Sequence, residues 1–250
     1  MEKKLPTYKK LTPDTRLNKM RKIIALLFGI STLLLNAQQK VNETLKKELD
    51  GIMKVDQGYR MLFDTEIAPE KKEQLLKDLN IDKEEFKKKN WQLVAEHDSL
   101  NIQKIESIIA QYGYPGKTLV GEPTNHAAWY VIQHSTKIGK YLPLIKEAEK
   151  KKEIPFTWVA MMEDRYLMQE DKEQIYGTQG KGEMTKDKDG KPIFVNFVWP
   201  VKDLKNVNKR RKEAGFDTTF EENVQRMYGK DFKYEPYTLE KVLELRNKNK

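Results

Sequence analysis

Apolar residues recur every three or four positions over much of this chain, the period of helices that each bury one face. From Val41 to Phe63 the stripe runs through Leu45, Leu49, Ile52, Met53, Tyr59, Met61, Leu62 and Phe63, with Gly51 weakening its middle. Pro69 to Leu79 reads as a short charged helix with proline in its first turn, and Lys83 to His97 as a second. Asp98 and Ser99 have the chemistry of an N-cap, so the pattern predicts a break there and a new helix from Leu100 to Tyr112, stopped by Gly113 and Pro115. Pro123 to Thr136, Gly139 to Lys152 and Thr157 to Gln174 follow as helices, the last being the most apolar.

The period then changes. Ile193, Val195, Phe197 and Trp199 alternate with Phe194, Asn196 and Val198 as in a strand, and Asp189-Gly190 just before them is hairpin-turn chemistry. A small β-hairpin near residues 183–199 is therefore expected. Val201 to Ala214, Phe220 to Tyr228 and Thr238 to Asn247 return to the helical period. The expectation is a mainly α fold, a single helical domain over 38–250 with no internal repeat or linker.

The N-terminal 37 residues form a separate segment of a different kind. Arg21 and Lys22 precede the 13-residue apolar run Ile23 to Leu35, then Asn36-Ala37 and the polar Gln38-Gln39-Lys40, the three-part form of a signal peptide with Ala37 as its last residue. Thirteen residues fall short of the roughly 20 needed to span a bilayer, so a cleaved leader is expected rather than a stable membrane anchor. Met20 directly before Arg21-Lys22 is an alternative start to Met1. The expected destination is the periplasm or the medium.

Charge changes meaning once this segment is set apart. The whole chain is +9, but the first 37 residues carry eight basic and two acidic side chains, leaving 39 basic against 36 acidic in the remainder. A body so nearly balanced lacks the footprint of a nucleic-acid binder. Zero cysteines exclude disulfides, thiolate metal sites, a cysteine nucleophile and a lipidated cysteine after the leader.

Few segments suggest chemistry. Gly116-Lys117-Thr118 resembles the end of a phosphate loop, but Gln111 stands where the first glycine belongs. Asp187-Lys188-Asp189-Gly190 resembles the middle of a calcium loop, and a hairpin turn explains it better. His97-Asp98 resembles a paired metal ligand without the additional upstream histidine such sites need, which leaves capping as the role of Asp98. No metal site and no cofactor is expected.

Polar residues on apolar helix faces are more informative. Ile52, Asp56, Tyr59 and Phe63 share a stripe with Gln57 and Arg60 beside it; Ala127, Val131 and His134 share another; Ala160, Met161, Asp164, Leu167 and Met168 form a third, flanked by Arg165. A charge buried without a partner costs several kcal/mol, so the three helices are expected to bring these groups together. The result is either a structural network of ion pairs and hydrogen bonds or a pocket. In a pocket, His134 would exchange protons, Asp164 would orient it, and Arg60 or Arg165 would hold an anionic group. Tyr176 and Gln179 would close over it from a glycine-rich loop, while Arg210-Arg211 reads as added positive charge or as a solvated basic turn.

The ordered set Asp56-Gln57-x-x-Arg60, Gly113-x-Pro115, Ile132-Gln133-His134, Asp164-Arg165, Tyr176-Gly177-Thr178-Gln179 and Asn208-x-Arg210-Arg211-x-x-x-Gly215 resembles a bacterial domain family of unknown function, over about residues 42 to 216. The resemblance implies a helical domain behind a leader and supplies residues rather than a reaction; His97 and His126 lie outside its motifs. Binding of a small or anionic ligand between helices is the leading expectation. A hydrolase-like enzyme using His134 with Asp164, or a non-catalytic interaction domain of the cell envelope, are the alternatives. The residues name no protein partner.

Overall fold

Asn42 starts the first helix by accepting the Leu45 N–H on its side-chain oxygen at 3.0 Å, which satisfies one of the amides a helix start leaves unpaired. A computed structural model describes residues 40–247, so the leader, its Ala37 junction and the choice between Met1 and Met20 lie outside the described residues. From Val41 onward the described chain is one compact unit.

Helix α1 (Glu43–Met61) buries Leu45, Leu49, Ile52 and Tyr59 along the expected stripe, with Asp56 among them. Helix α2 (Pro69–Asp78) is short, and α3 begins after the N-cap Asp82. Here the first expectation fails: α3 runs unbroken from Lys83 to Tyr112, so Asp98 and Ser99 sit inside a 30-residue helix and Asp98 is not a cap. Buried Val94, Asn101, Ile102, Ile105 and Ile108 continue one face through that point, and tertiary packing outweighs a few tenths of a kcal/mol of unfavourable propensity. The helix ends where expected, at Gly113.

The short helix α4 (Lys117–Val120) was not foreseen, and Glu153 accepts the amides of Lys117 and Thr118 there, so no phosphate loop forms. A 3₁₀ turn (Thr124–His126) leads into α5 (Ala127–Gln133), followed by α6 (Ile138–Lys150) and α7 (Phe156–Gln169). α5 is the central element: Ala127, Ala128, Trp129, Val131 and Ile132 are buried, and it touches α1, α3, α6 and α7. α7 stops five residues earlier than its apolar pattern suggests, and Asp171 and the loop beyond it leave helical geometry.

Strands β1 (Gly180–Lys186) and β2 (Pro192–Val198) pair antiparallel from Gly180 opposite Val198 to Lys186 opposite Pro192. Asp187 Oδ1 accepts the amides of Asp189 and Lys191, and Gly190 takes φ 81°, so the segment resembling a calcium loop is a hairpin turn held by its own aspartate. A second 3₁₀ turn (Leu204–Asn206), α8 (Val207–Glu213), α9 (Phe220–Tyr228) and α10 (Leu239–Asn247) complete the chain. Phe220 and Val224 pack with Val198 and Val207 into a second small core, separate from the one around α5. The fold is mainly α with one hairpin, and no described helix is long and apolar enough to cross a membrane.

Candidate functional site

The continuity of α3 carries Asp98 to the face of α1 that bears Arg60, and the two form the hub of a polar cluster. Arg60 Nη2 donates to both Asp98 carboxylate oxygens at 2.9 Å, Nη1 donates to the Asp56 carbonyl at 2.9 Å and lies 3.4 Å from Asp56 Oδ1, and Nε donates to His134 Nε2 at 3.1 Å. The last contact fixes the tautomer of His134. An arginine Nε–H can only donate, so His134 Nε2 is the acceptor and the ring proton resides on Nδ1, which faces Asp56 Oδ1 at 3.1 Å. Gln57 Nε2 donates to the other Asp56 oxygen at 2.6 Å, so the 1% exposed Asp56 has both oxygens engaged.

Ligand atoms of Asp56, Asp98 and His134 lie within 4.8 Å of one another, a spacing that fits a divalent ion. Arg60 contacts all three residues and sets its single positive charge against both carboxylates, so the cluster already holds a cation. A metal would have to displace that guanidinium.

Asp164 does not join His134, which corrects the expectation of one shared network. It points the other way from α7 into the 174–179 loop and accepts the amides of Ile175, Tyr176 and Thr178 and the Thr178 hydroxyl at 2.7–3.1 Å. Burial pushes its pKa up, while these hydrogen bonds favour the ionised form. Gln179 is also an anchor: its amide donates to Gln174 Oε1, and the buried Gln174 donates in turn to the Gln179 and Trp199 carbonyls. Tyr176 packs between Phe156 and Phe216. The loop is therefore tied to α7 at several points rather than free to close over His134.

Arg210 is likewise engaged by backbone: it donates to the carbonyls of Ile175, Lys202 and Asp203. Arg211, read from sequence as a possible solvated turn, is 2% exposed and donates to the Thr218 carbonyl and hydroxyl and the Tyr176 carbonyl. Its burial was legible in the stripe Val207, Arg211, Ala214, whose members are all buried. Asp98 was legible too, since it stands four residues from Val94 and from Ile102 on the buried face of α3; splitting that helix hid it.

Arg165 differs from every other arginine named so far. It is half-buried on α7, Arg60 lies near enough to act on it electrostatically, and among the described residues no carboxylate or carbonyl accepts from it. Burial first and the Arg60 charge second pull its pKa down. One turn on, Gln169 donates to the Ser135 carbonyl, which brings this face of α7 to the end of α5 that carries His134. On the α3 side of His134, between α3 and residues 134–137, lies a cleft of about 300 Å³ lined by Asp98, Ser99, Gln103, His134, Thr136 and Lys137 among others; Arg165 is not part of its lining.

The profile of a family of unknown function (DUF6624) matches residues 67–233, most of the described chain. Asp98, His134, Asp164 and Arg165 fall inside that stretch, whereas Asp56, Gln57 and Arg60 precede it. No curated protein and no solved structure matches the chain.

Proposed function

The chain belongs to this family of unknown function (DUF6624), and from that premise we propose that it is an exported protein that binds a small anionic ligand beside the Asp56–Arg60–Asp98–His134 cluster. The observation that carries the reading is Arg165. A half-buried guanidinium without an acceptor among the described residues offers up to five N–H donors in the planar fork that suits carboxylate and phosphate groups. Arg60 cannot play that part without leaving Asp98 and His134, so its role is to hold the cluster in shape.

An acid–base enzyme is the weaker reading. Asp56 and His134 have the proton arrangement of a catalytic dyad, but the Nε2 lone pair that would act as base already accepts from Arg60. The neighbouring Ser135 hydroxyl donates to the Ile132 carbonyl, so it is not oriented as a nucleophile.

Thermal unfolding in phosphate, sulfate and acetate at constant ionic strength tests the proposal, because a ligand that binds only the native state raises the melting temperature. At least one anion should raise it for the wild type and not for Arg165→Gln. Equal responses of the two proteins to every anion would overturn it. Export rests on the basic and apolar leader and is tested separately: expression in a Gram-negative host should give a periplasmic or secreted product beginning at Gln38. An intact cytoplasmic product would refute it.

A further inference from the structure

Thr178 and Arg211 fix the 174–179 loop from inside, and they also form the inner wall of a separate cleft of about 470 Å³ between α7 and the α8–α9 turn. That volume lies within the range of roughly 300 to 1,000 Å³ usual for small-molecule sites. Trp158 and Met161 from α7 and Phe216 from the turn supply apolar wall, and Thr178, Asn223 and Arg226 supply hydrogen-bonding groups. The two arginines of the cleft are in different states. Arg211 is held by Thr218 and Tyr176 and lies 4.5 Å over the Phe216 ring. Arg226 is exposed, donates to Asn223 Oδ1 at 2.8 Å, and pairs with no carboxylate among the described residues.

Asp217 is the one acidic residue lining the cleft, so two guanidiniums and one carboxylate leave a net single positive charge. This balance suits a monoanion better than a doubly charged phosphate, and the aromatic walls suit a flat body. We propose that this cleft binds a small carboxylic acid with a flat apolar body, its carboxylate on Arg226 and its body against Trp158, Met161 and Phe216. Asn223 orients the guanidinium: its Oδ1 accepts from Arg226 while its Nδ2 donates to the Gly177 carbonyl at 2.9 Å, which ties the site to the fixed loop.

Calorimetric titration of the purified chain with 2-naphthoate, 2-naphthalenemethanol and acetate tests this. Naphthoate should bind, and the uncharged alcohol and the body-less acetate should each be weaker by about tenfold or more. Arg226→Gln, at an exposed position, should lower naphthoate affinity about tenfold, to the level of the alcohol, whereas Asp217→Asn should raise it several-fold. The same titrations repeated in the Arg165→Gln background should keep the Arg226 and Asp217 dependence of naphthoate binding, which separates this cleft from the site beside His134. The proposal is overturned if naphthoate does not bind, if the alcohol binds as tightly, if neither Arg226→Gln nor Asp217→Asn moves the affinity, or if Arg165→Gln abolishes it.

Discussion

The polar groups around Arg60 and those around Asp164 solve the same problem, charge carried on apolar helix faces, by opposite means. Around Arg60 side chains bind mostly side chains: three helices each contribute a charged or titratable group, and the side chains of Arg60, Asp98 and His134 are 25, 23 and 18% exposed. Around Asp164 side chains bind backbone: Asp164, Gln174 and Arg211 satisfy amides and carbonyls of loops that have no regular partners, and all three are buried. Water can replace a lost partner of Arg60, Asp98 or His134, though not of the buried Asp56, and has little access to the second region. A network whose members remain partly wet can exchange one partner for a ligand; a dry one that fixes loop backbone resists change.

The largest effect expected from this contrast is at Asp164. Asp164→Ala strands three part-buried amides and a hydroxyl in one step at a fully buried carboxylate and should destabilise the protein by about 3–5 kcal/mol, read from urea or thermal unfolding. A loss below about 1 kcal/mol would erase the distinction between the regions.

Arg60→Met comes next. It leaves Asp56 and Asp98 without their cation, but the partial exposure of Asp98 lets water compensate, so about 2 kcal/mol is expected. A loss equal to that of Asp164→Ala would show the Arg60 cluster to be as rigid a structural element as the loop network.

Arg165→Gln should change stability by less than about 0.5 kcal/mol, or raise it, because no acceptor among the described residues is lost and a like charge near Arg60 is removed. Destabilisation above about 1 kcal/mol in the same unfolding experiment would mean that Arg165 is structural.

An effect of similarly small size lies outside both regions and calibrates them. Glu106 accepts from Lys137, Lys140 and Tyr141, and these bonds, that from Lys137 foremost, hold its pKa at about 2 against an ordinary 4.5. A carboxylate with a lowered folded pKa contributes stability above its ordinary pKa and loses it as pH falls toward the folded value. Glu106→Gln should therefore cost about 0.5 kcal/mol at neutral pH, limited by the exposure of both lysines, and the gap to wild type should narrow as pH falls from 4.5 toward 2. A gap that widens on acidification would contradict this assignment.

Much of the fold was legible because helix and strand periods are local. α1, α2, α6 and α9 lie within a few residues of the ends their patterns suggest, and the hairpin falls at 180–198 because alternation and Asp189-Gly190 are short-range signals. The error at Asp98 has the same origin: a capping residue and a helix-interior residue look alike until it is known whether the helix packs straight through. That packing, of Ile102, Ile105 and Ile108 onto the core, is set by residues far away in the chain.

The sequence by itself determined that Asp56, His134 and Asp164 stand on apolar helix faces, with Arg60 and Arg165 beside them, since a face is a matter of spacing. Only the tertiary structure decided whom each one meets: Asp164 and Arg211 the loop backbone, Arg60 both carboxylates and the histidine, Arg165 no protein group among the described residues. Spacing fixes an angle around one helix axis, whereas partnership depends on how several helices cross, and that follows from the burial of apolar surface along the whole chain.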